Sequence, residues 1–332
     1  MAKSTAQVLV YEMPELKPHD NATSLSLVEV GGYQVVVRTE NWKDSKLCAY
    51  IPPDNTVDTT RPEFKFLDKY GTQKRERIRA CKLQGKVSFG LLVPAPADSK
   101  VGDDVTELLG VEHYEPQIRG EGLTRGDNEE DIHPVYGNFY KYDVEALRRY
   151  KNAFKERELV NLREKIHGAN SRYVFHDNKM YVGSRTFWKK YDEKSGWWIA
   201  FANTPSIQQF CMANPGYCLY GEIYGQVQDL KYGVGPERVR FAAFDIVDTS
   251  GRYLNVTEFE DKCKEFGVPV APLIANYFPF NFEQIEKMAE CDSLLCPGQL
   301  MEGIVVKSME EGWDQDCGRK ILKIVSSRYL MS

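Results

Sequence analysis

No apolar run in this chain approaches the ~20 residues that a membrane-spanning helix needs, so a membrane anchor is not expected. Histidine is scarce. The five present are scattered, which argues against a histidine-based metal centre. The eight cysteines include no Cys-x-x-Cys pair and no Cys/His cluster at zinc spacing, so they read as reduced core or surface thiols of a cytoplasmic protein. Positive charge is not in excess. A net charge of −5 excludes a globally basic nucleic-acid binder and confines any nucleic-acid contact to a local patch. Met1-Ala2-Lys3-Ser4-Thr5 leads into a short strand-like segment, not into the core of a signal peptide. No internal repeat is visible.

What is present fits an ordinary globular protein. The length of 332 residues exceeds what one hydrophobic core usually spans, so two domains are expected. Residues 1–118 look all-β. Short β-branched stretches (Gln7-Val8-Leu9-Val10-Tyr11, Tyr33-Gln34-Val35-Val36-Val37, Ser88-Phe89-Gly90-Leu91-Leu92-Val93) alternate with Pro, Gly, Asn and Asp clusters. That pattern suits a small Greek-key barrel, with an oligonucleotide-binding (OB) barrel as one option. Lys74 through Lys82 concentrates positive charge, either as a solvated edge or as a phosphate-contacting face. Residues 119–134 are rich in Gly, Asp and Glu with little to pack, and read as a linker or mobile loop.

Residues 135–332 read as an α+β domain with antiparallel sheets and flanking helices. Asp143 is placed to cap a helix through Val144, Leu147, Tyr150 and Phe154, which recur at near-helical spacing. A strand beginning at Leu159 then leads into Lys165. Further helices are expected over 204–213, 256–266 and 281–290.

The chemistry gathers around Glu164-Lys165-Ile166-His167-Gly168-Ala169-Asn170. A lone Lys-x-x-Gly is weak, because such a motif recurs by chance. Its company downstream makes it strong: Tyr220-Gly221-Glu222-Ile223-Tyr224-Gly225, Phe241 through Ile246, Glu302-Gly303-Ile304-Val305-Val306-Lys307 and Lys320-Ile321-Leu322-Lys323. A lysine nucleophile must be uncharged when it attacks, and neighbouring cations favour that form. Each residue taken alone has a plainer reading: Phe244 as core, Arg185 as a surface ion-pair partner, His167 as a turn residue fixing its loop through a backbone hydrogen bond.

In this order the segments resemble the motifs of covalent nucleotidyltransferases, the polynucleotide ligases and capping enzymes. Glu-Lys-x-His-Gly-Ala-Asn is most similar to ATP-dependent RNA ligases related to the second RNA ligase of phage T4, where most DNA ligases carry Asp at the position of His167. The resemblance covers about residues 140–332. With the β-rich module upstream and no room for a C-terminal OB domain, the order resembles a branch with an N-terminal OB domain. The resemblance implies an ATP-grasp-like catalytic domain and a lysine–AMP intermediate on Lys165. It implies adenine recognition by the backbone around Glu164 and Ile166, and nucleotide or phosphate contacts from Asn170 and Arg185. Glu222 would accept from a ribose hydroxyl, and Phe244 would stack on adenine. Glu302 and Glu222 would hold Mg2+ or Mn2+, and Lys307, Lys320 and Lys323 would contact the α-phosphate. The implied partners are ATP and RNA with 3′-hydroxyl and 5′-phosphate ends, a nicked duplex foremost, acted on by a monomer. A DNA ligase, a GTP-using capping enzyme and a non-catalytic OB protein are the rivals.

Two points sit awkwardly with these motifs. Strict alternation along a strand would send Glu302 and Lys307 to opposite faces, so a bulge or a strand end before Lys307 is expected. The last motif also lacks the second lysine of Lys-x-Lys, which leaves Lys320 or Arg328 to substitute.

Overall fold

The computed structural model describes residues 6–68, 74–114, 142–235 and 239–332, and the backbone of Glu129 and Glu130. The N-terminal part is a set of short strands. In order they are β1 (Leu9–Glu12), β2 (Lys17–His19), β3 (Ala22–Val30), β4 (Tyr33–Arg38), β5 (Leu47–Ile51) and β6 (Asn55–Asp58). There follow β7 (Arg75–Ile78), β8 (Ala80–Leu83), β9 (Lys86–Phe89), β10 (Leu91–Pro94) and β11 (Glu112–His113). β5 lies between β1 and β10 and is buried on both faces. Its side chains alternate: Ala49 and Ile51 enter a cluster with Val8, Val10, Val57 and Phe64, while Cys48 and Tyr50 enter another with Val28, Val35 and Trp42.

Part of the basic run is consumed inside this module. Arg75 donates to the Thr56 and Gly110 carbonyls, and Arg77 pairs with Asp54 and lies over the Tyr114 ring. Of the two readings of Lys74–Lys82, Arg75 and Arg77 follow the structural one, while Arg79 is exposed and donates to the Ser332 carbonyl. Lys74 and Lys82 remain exposed.

The second part holds two sheets. Its strands are β12 (Glu129–Glu130), β13 (Glu145–Ala146), β14 (Leu159–Lys165), β15 (Ala169–His176), β16 (Lys179–Ser184), β17 (Trp188–Lys189) and β18 (Cys218–Gly225). They continue with β19 (Val239–Val247), β20 (Leu273–Pro279), β21 (Gly303–Ser308), the hairpin β22 (Trp313–Asp314) and β23 (Gly318–Arg319), and β24 (Ile321–Val325). One sheet runs β12-β17-β16-β15-β18-β19, the other β13-β24-β21-β14-β20. All pairings are antiparallel except β13 with β24. Of the expected linker, Glu129 and Glu130 pair with β17; the rest of 119–134 lies outside the described residues.

The helices are α1 (Gly196–Asn203), α2 (Pro205–Ala213), α3 (Val256–Phe266), α4 (Phe282–Ala289) and α5 (Ser327–Met331). α2, α3 and α4 coincide with the expected ones; α1 and α5 were not anticipated. α3 shows why local sequence can suffice: Asn255 and Glu258 form a capping box, and Gly267 closes the helix at φ 67°. The helix expected from Asp143 is absent. Glu145–Ala146 pairs with β24 instead, Leu147 donates to the Lys323 carbonyl, and isolated turns follow at Tyr150 and Ala153. Successive turns and a helix both bring residues three apart onto one side. Here docking onto β24, with Leu147 and Phe154 buried, decides between them.

The two parts meet at α5. Leu330 packs on Ala80 and Phe89, and the Arg148 guanidinium lies 4.9 Å from the Phe89 ring. Gly32, at φ 83°, touches the same corner: a Cβ there would stand 1.8 Å from the Arg148 carbonyl oxygen. No helix among the described residues is long and apolar enough to cross a membrane.

Candidate active site

The two sheets face each other across a cavity of about 200 Å³. β14, flanked by β21 and β20, delivers Lys165 to the rim as its last residue. β15 returns with Asn170, which pairs in register with Glu222 on β18, so both side chains share the cavity face. Gly168 makes the tight return possible. A Cβ there would lie 2.0 Å from the Ile223 carbonyl oxygen and 3.0 Å from Glu222 Cγ.

Lys165 Nζ donates to Glu302 Oε1 at 2.7 Å. Glu302 lies one residue before β21, where Lys165 pairs with Gly303. A Cβ on Gly303 would sit 2.1 Å from the Ile324 carbonyl oxygen, so glycine is required for β21 to close on β24. The expected bulge or early strand end is therefore corrected. Lys307 lies within a regular β21, opposite Asn161 and Ile321. Glu302 is the residue outside the strand, free of its alternation.

Charge at the rim is tightly balanced. Burial works against the Lys165 ammonium, but the Glu302 and Glu222 carboxylates outweigh it, so its pKa lies above the ordinary value. This reverses the expectation that cations would dominate around the lysine. Lys323 takes the opposite shift: burial, with the Lys165 charge beside it, lowers its pKa. Burial pushes Glu222 up to about 8, aided by Glu302 and opposed by Lys165. Burial would raise Glu302 as well, but Lys165 and His167 hold it down at about 2.

The remaining candidates fall into three groups. Ile166, Asn170, Arg185, Phe244, Lys307 and Lys323 all line the cavity. Asn170 Oδ1 is buried without a hydrogen-bond partner among the described residues, and Arg185 pairs with Asp143 at 3.0 Å. Glu164 borders the cavity, but its N–H donates to the Pro272 carbonyl and its carboxylate accepts from Ser293 and the Leu294 N–H. The N–H is therefore not available to a base. Lys320 is a correction: its ammonium donates to both oxygens of Glu158 at 2.6 Å and does not line the cavity. Arg328 likewise pairs with Asp292. His167 donates its backbone N–H to Tyr232 Oη at 2.6 Å, and its ring faces Glu302.

Sequence reasoning passed over the network beneath Phe244. The register of β18 with β19 slips between Tyr220 and Gly221, leaving Phe244 as an extra residue. The bulge turns both Phe244 and Asp245 toward the gap between the sheets. Phe244 packs 4.8 Å from the Tyr142 ring. Asp245, fully buried, accepts from Tyr142 Oη at 2.7 Å, Arg319 Nη2 at 2.6 Å and Lys307 Nζ at 3.1 Å. Burial opposes its charge, but Arg319 and Lys307 prevail and its pKa is lowered. The only signal in the sequence was an acidic residue inside the apolar run Phe241–Ile246.

An ion-paired lysine at the rim of a two-sheet cavity, behind an N-terminal barrel, is the arrangement of a covalent nucleotidyltransferase. The chain belongs to the RNA ligase family, whose model matches residues 158–325, and a model of an OB-fold domain matches residues 8–95. Among solved structures it is similar to a Naegleria gruberi RNA ligase, seen as mutants with ATP and Mn and with AMP and Mn, and with PPi. Each shares 24% identity and a TM-score of 0.81, over 98% of both chains. No curated protein matches the sequence.

Proposed function

We propose that this chain is an ATP-dependent RNA ligase that joins 3′-hydroxyl and 5′-phosphate ends through AMP held on Lys165. The observation that carries the reading is the Lys165–Glu302 contact at the cavity rim, with Glu222 and Lys323 close enough to shift their pKa values against it. The Lys165 ammonium first loses a proton; the neutral Nζ then forms a bond to the α-phosphorus as the bond to pyrophosphate breaks, and the nitrogen releases its second proton to solvent as the phosphoramidate forms. Glu302 Oε1, which accepts from Nζ at 2.7 Å, orients the nitrogen for attack. Lys323 opposes positive charge on the amine and stabilises negative charge on the phosphate. The AMP then passes to an RNA 5′-phosphate, and a 3′-hydroxyl displaces it to close the strand.

The site suits a divalent cation. Glu302 Oε2 is buried without a hydrogen-bond partner among the described residues, and Glu222 shares the rim. No group of three or more His, Cys, Asp or Glu side chains among the described residues could hold a metal by itself. That suits Mg2+ or Mn2+, which bind through one or two carboxylates together with substrate phosphates. When bound, such an ion offsets the charge of the triphosphate and its leaving group.

Phe244, Arg185 and Asn170 line the cavity; Phe244 would stack on the adenine, and Arg185 and Asn170 would contact the sugar and phosphates. Residues 1–118 would hold nicked duplex through exposed lysines such as Lys74 and Lys82, with residues 135–332 as the adenylyltransferase unit. Incubation with α-labelled ATP and Mn2+ tests the reading. Covalent label is expected on the wild type and not on Lys165→Ala. A wild-type protein that takes no label from ATP rules the proposal out. A nicked RNA duplex compared with single-stranded ends then tests the substrate.

A further inference from the structure

Glu302 has two different oxygens. Oε1 accepts from Lys165, while Oε2 is buried and has no hydrogen-bond donor among the described residues. The group nearest to supplying one is His167, whose Nδ1 stands 3.7 Å away, beyond hydrogen-bonding reach. A small rotation of the imidazole would close that gap. The same Nδ1 lies 3.3 Å from Tyr329 Oη, with the rings 5.2 Å apart.

A ring nitrogen offers one hydrogen-bonding position in the ring plane. If Nδ1 is bare, it accepts from the phenol and has no proton for Glu302. If it carries the proton, it donates to the phenol oxygen. In either tautomer the pairing with Tyr329 occupies the nitrogen that Glu302 would otherwise engage.

The position of Tyr329 is itself firmly set. Ser326 caps α5, and its N–H donates to the backbone carbonyl of Glu302 at 2.8 Å. Glu290 accepts from Ser326 Oγ and from the Ser327 and Arg328 N–H groups, and Leu330 is buried on Ala80 and Phe89 of the N-terminal barrel. One short helix thus ties the backbone of Glu302, the ring of His167 and the barrel together.

We infer that Tyr329 is a positioning residue that holds the His167 imidazole off Glu302 and so keeps Oε2 open to a divalent cation. The inference rests on the ligase reading for its purpose, but it concerns only residues of this chain. It also gives the barrel a role at the adenylation site, because the seat of α5 on β8 and β9 places the tyrosine.

Mn2+ binding to the nucleotide-free protein, followed by calorimetry, tests this. Tyr329→Phe retains the ring and deletes only the hydroxyl, and a melting curve verifies its fold. Its affinity for Mn2+ is expected to fall about tenfold as Nδ1 turns to Oε2, the scale on which outer partners of metal ligands act. Adding His167→Ala to that variant removes the intruding ring, and wild-type affinity should return. An unchanged affinity in Tyr329→Phe, a double variant as weak as the single one, or a wild type that binds no Mn2+ overturns the inference. Labelling of the wild type by ATP is scored separately, so loss of the ligase reading and loss of this one are told apart.

Discussion

Asp245 accepts a hydrogen bond from Lys307 at 3.1 Å across the gap between the two sheets, one donor from β21 and one acceptor from β19. The same carboxylate accepts from Arg319, and Glu311 completes the neutralisation at 2.7 Å from Lys307 and 2.6 Å from Arg319. The cavity floor is therefore a closed network of charge in which each group depends on the others.

Asp245→Asn should consequently destabilise the protein. It keeps the shape but leaves Lys307 and Arg319 facing one another with less compensation. Removing one partner of a buried ion pair typically costs about 3–5 kcal/mol, and a loss of that order is expected in denaturant unfolding. Wild-type stability in this variant would show that Glu311 suffices.

Gly168→Ala should damage the site locally. The added methyl meets the Ile223 carbonyl at 2.0 Å, a backbone atom that can yield only by moving β18. A loss of about 1–3 kcal/mol is expected from such overpacking, together with weaker labelling by ATP because Glu222 rides on the same strand. Normal melting and labelling would mean that β15 and β18 separate more easily than their pairing suggests.

Glu222 and Glu302 should give opposite signatures in stability against pH. Glu222 has a folded pKa of about 8, above its ordinary 4.5, so the folded state binds its proton more tightly. Its contribution is present below pH 4.5 and is lost as the pH rises through about 8. Glu302, at about 2, contributes above 4.5 and loses that contribution as the pH falls through about 2. Melting temperatures of Glu222→Gln should therefore exceed those of the wild type on the alkaline side, with the gap closing toward pH 4.5. Parallel curves would contradict the assignment.

Lys323→Met should move the pH profile of lysine loading. Lys323 and Lys165 repel one another, so removing the former stabilises the ammonium of the latter. Initial rates of labelling from ATP should then reach their half-maximum at higher pH, with a lower rate near neutrality. A profile that keeps its midpoint while losing height would assign Lys323 to phosphate contact alone.

Local sequence sufficed wherever one short stretch carries both the chemistry and the reason for its geometry. Lys165 at the end of an apolar strand, Gly168 at the return, Glu302 beside Gly303 and the capped helix α3 are of this kind, because strand ends, glycine turns and caps are set by near neighbours. Other features were settled by packing alone. The segment after Asp143 follows β24 because that edge was open to it. The bulge at Phe244 arises from a register between strands far apart in sequence, and it alone brings Asp245 under the cavity. Lys320 is drawn to Glu158, a partner 162 residues away, and Tyr329 reaches His167 only because α5 is seated on the barrel. Periodicity reports which residues are apolar, whereas the choice of partner for a buried charge depends on which chains the folded sheets place within about 3 Å of it.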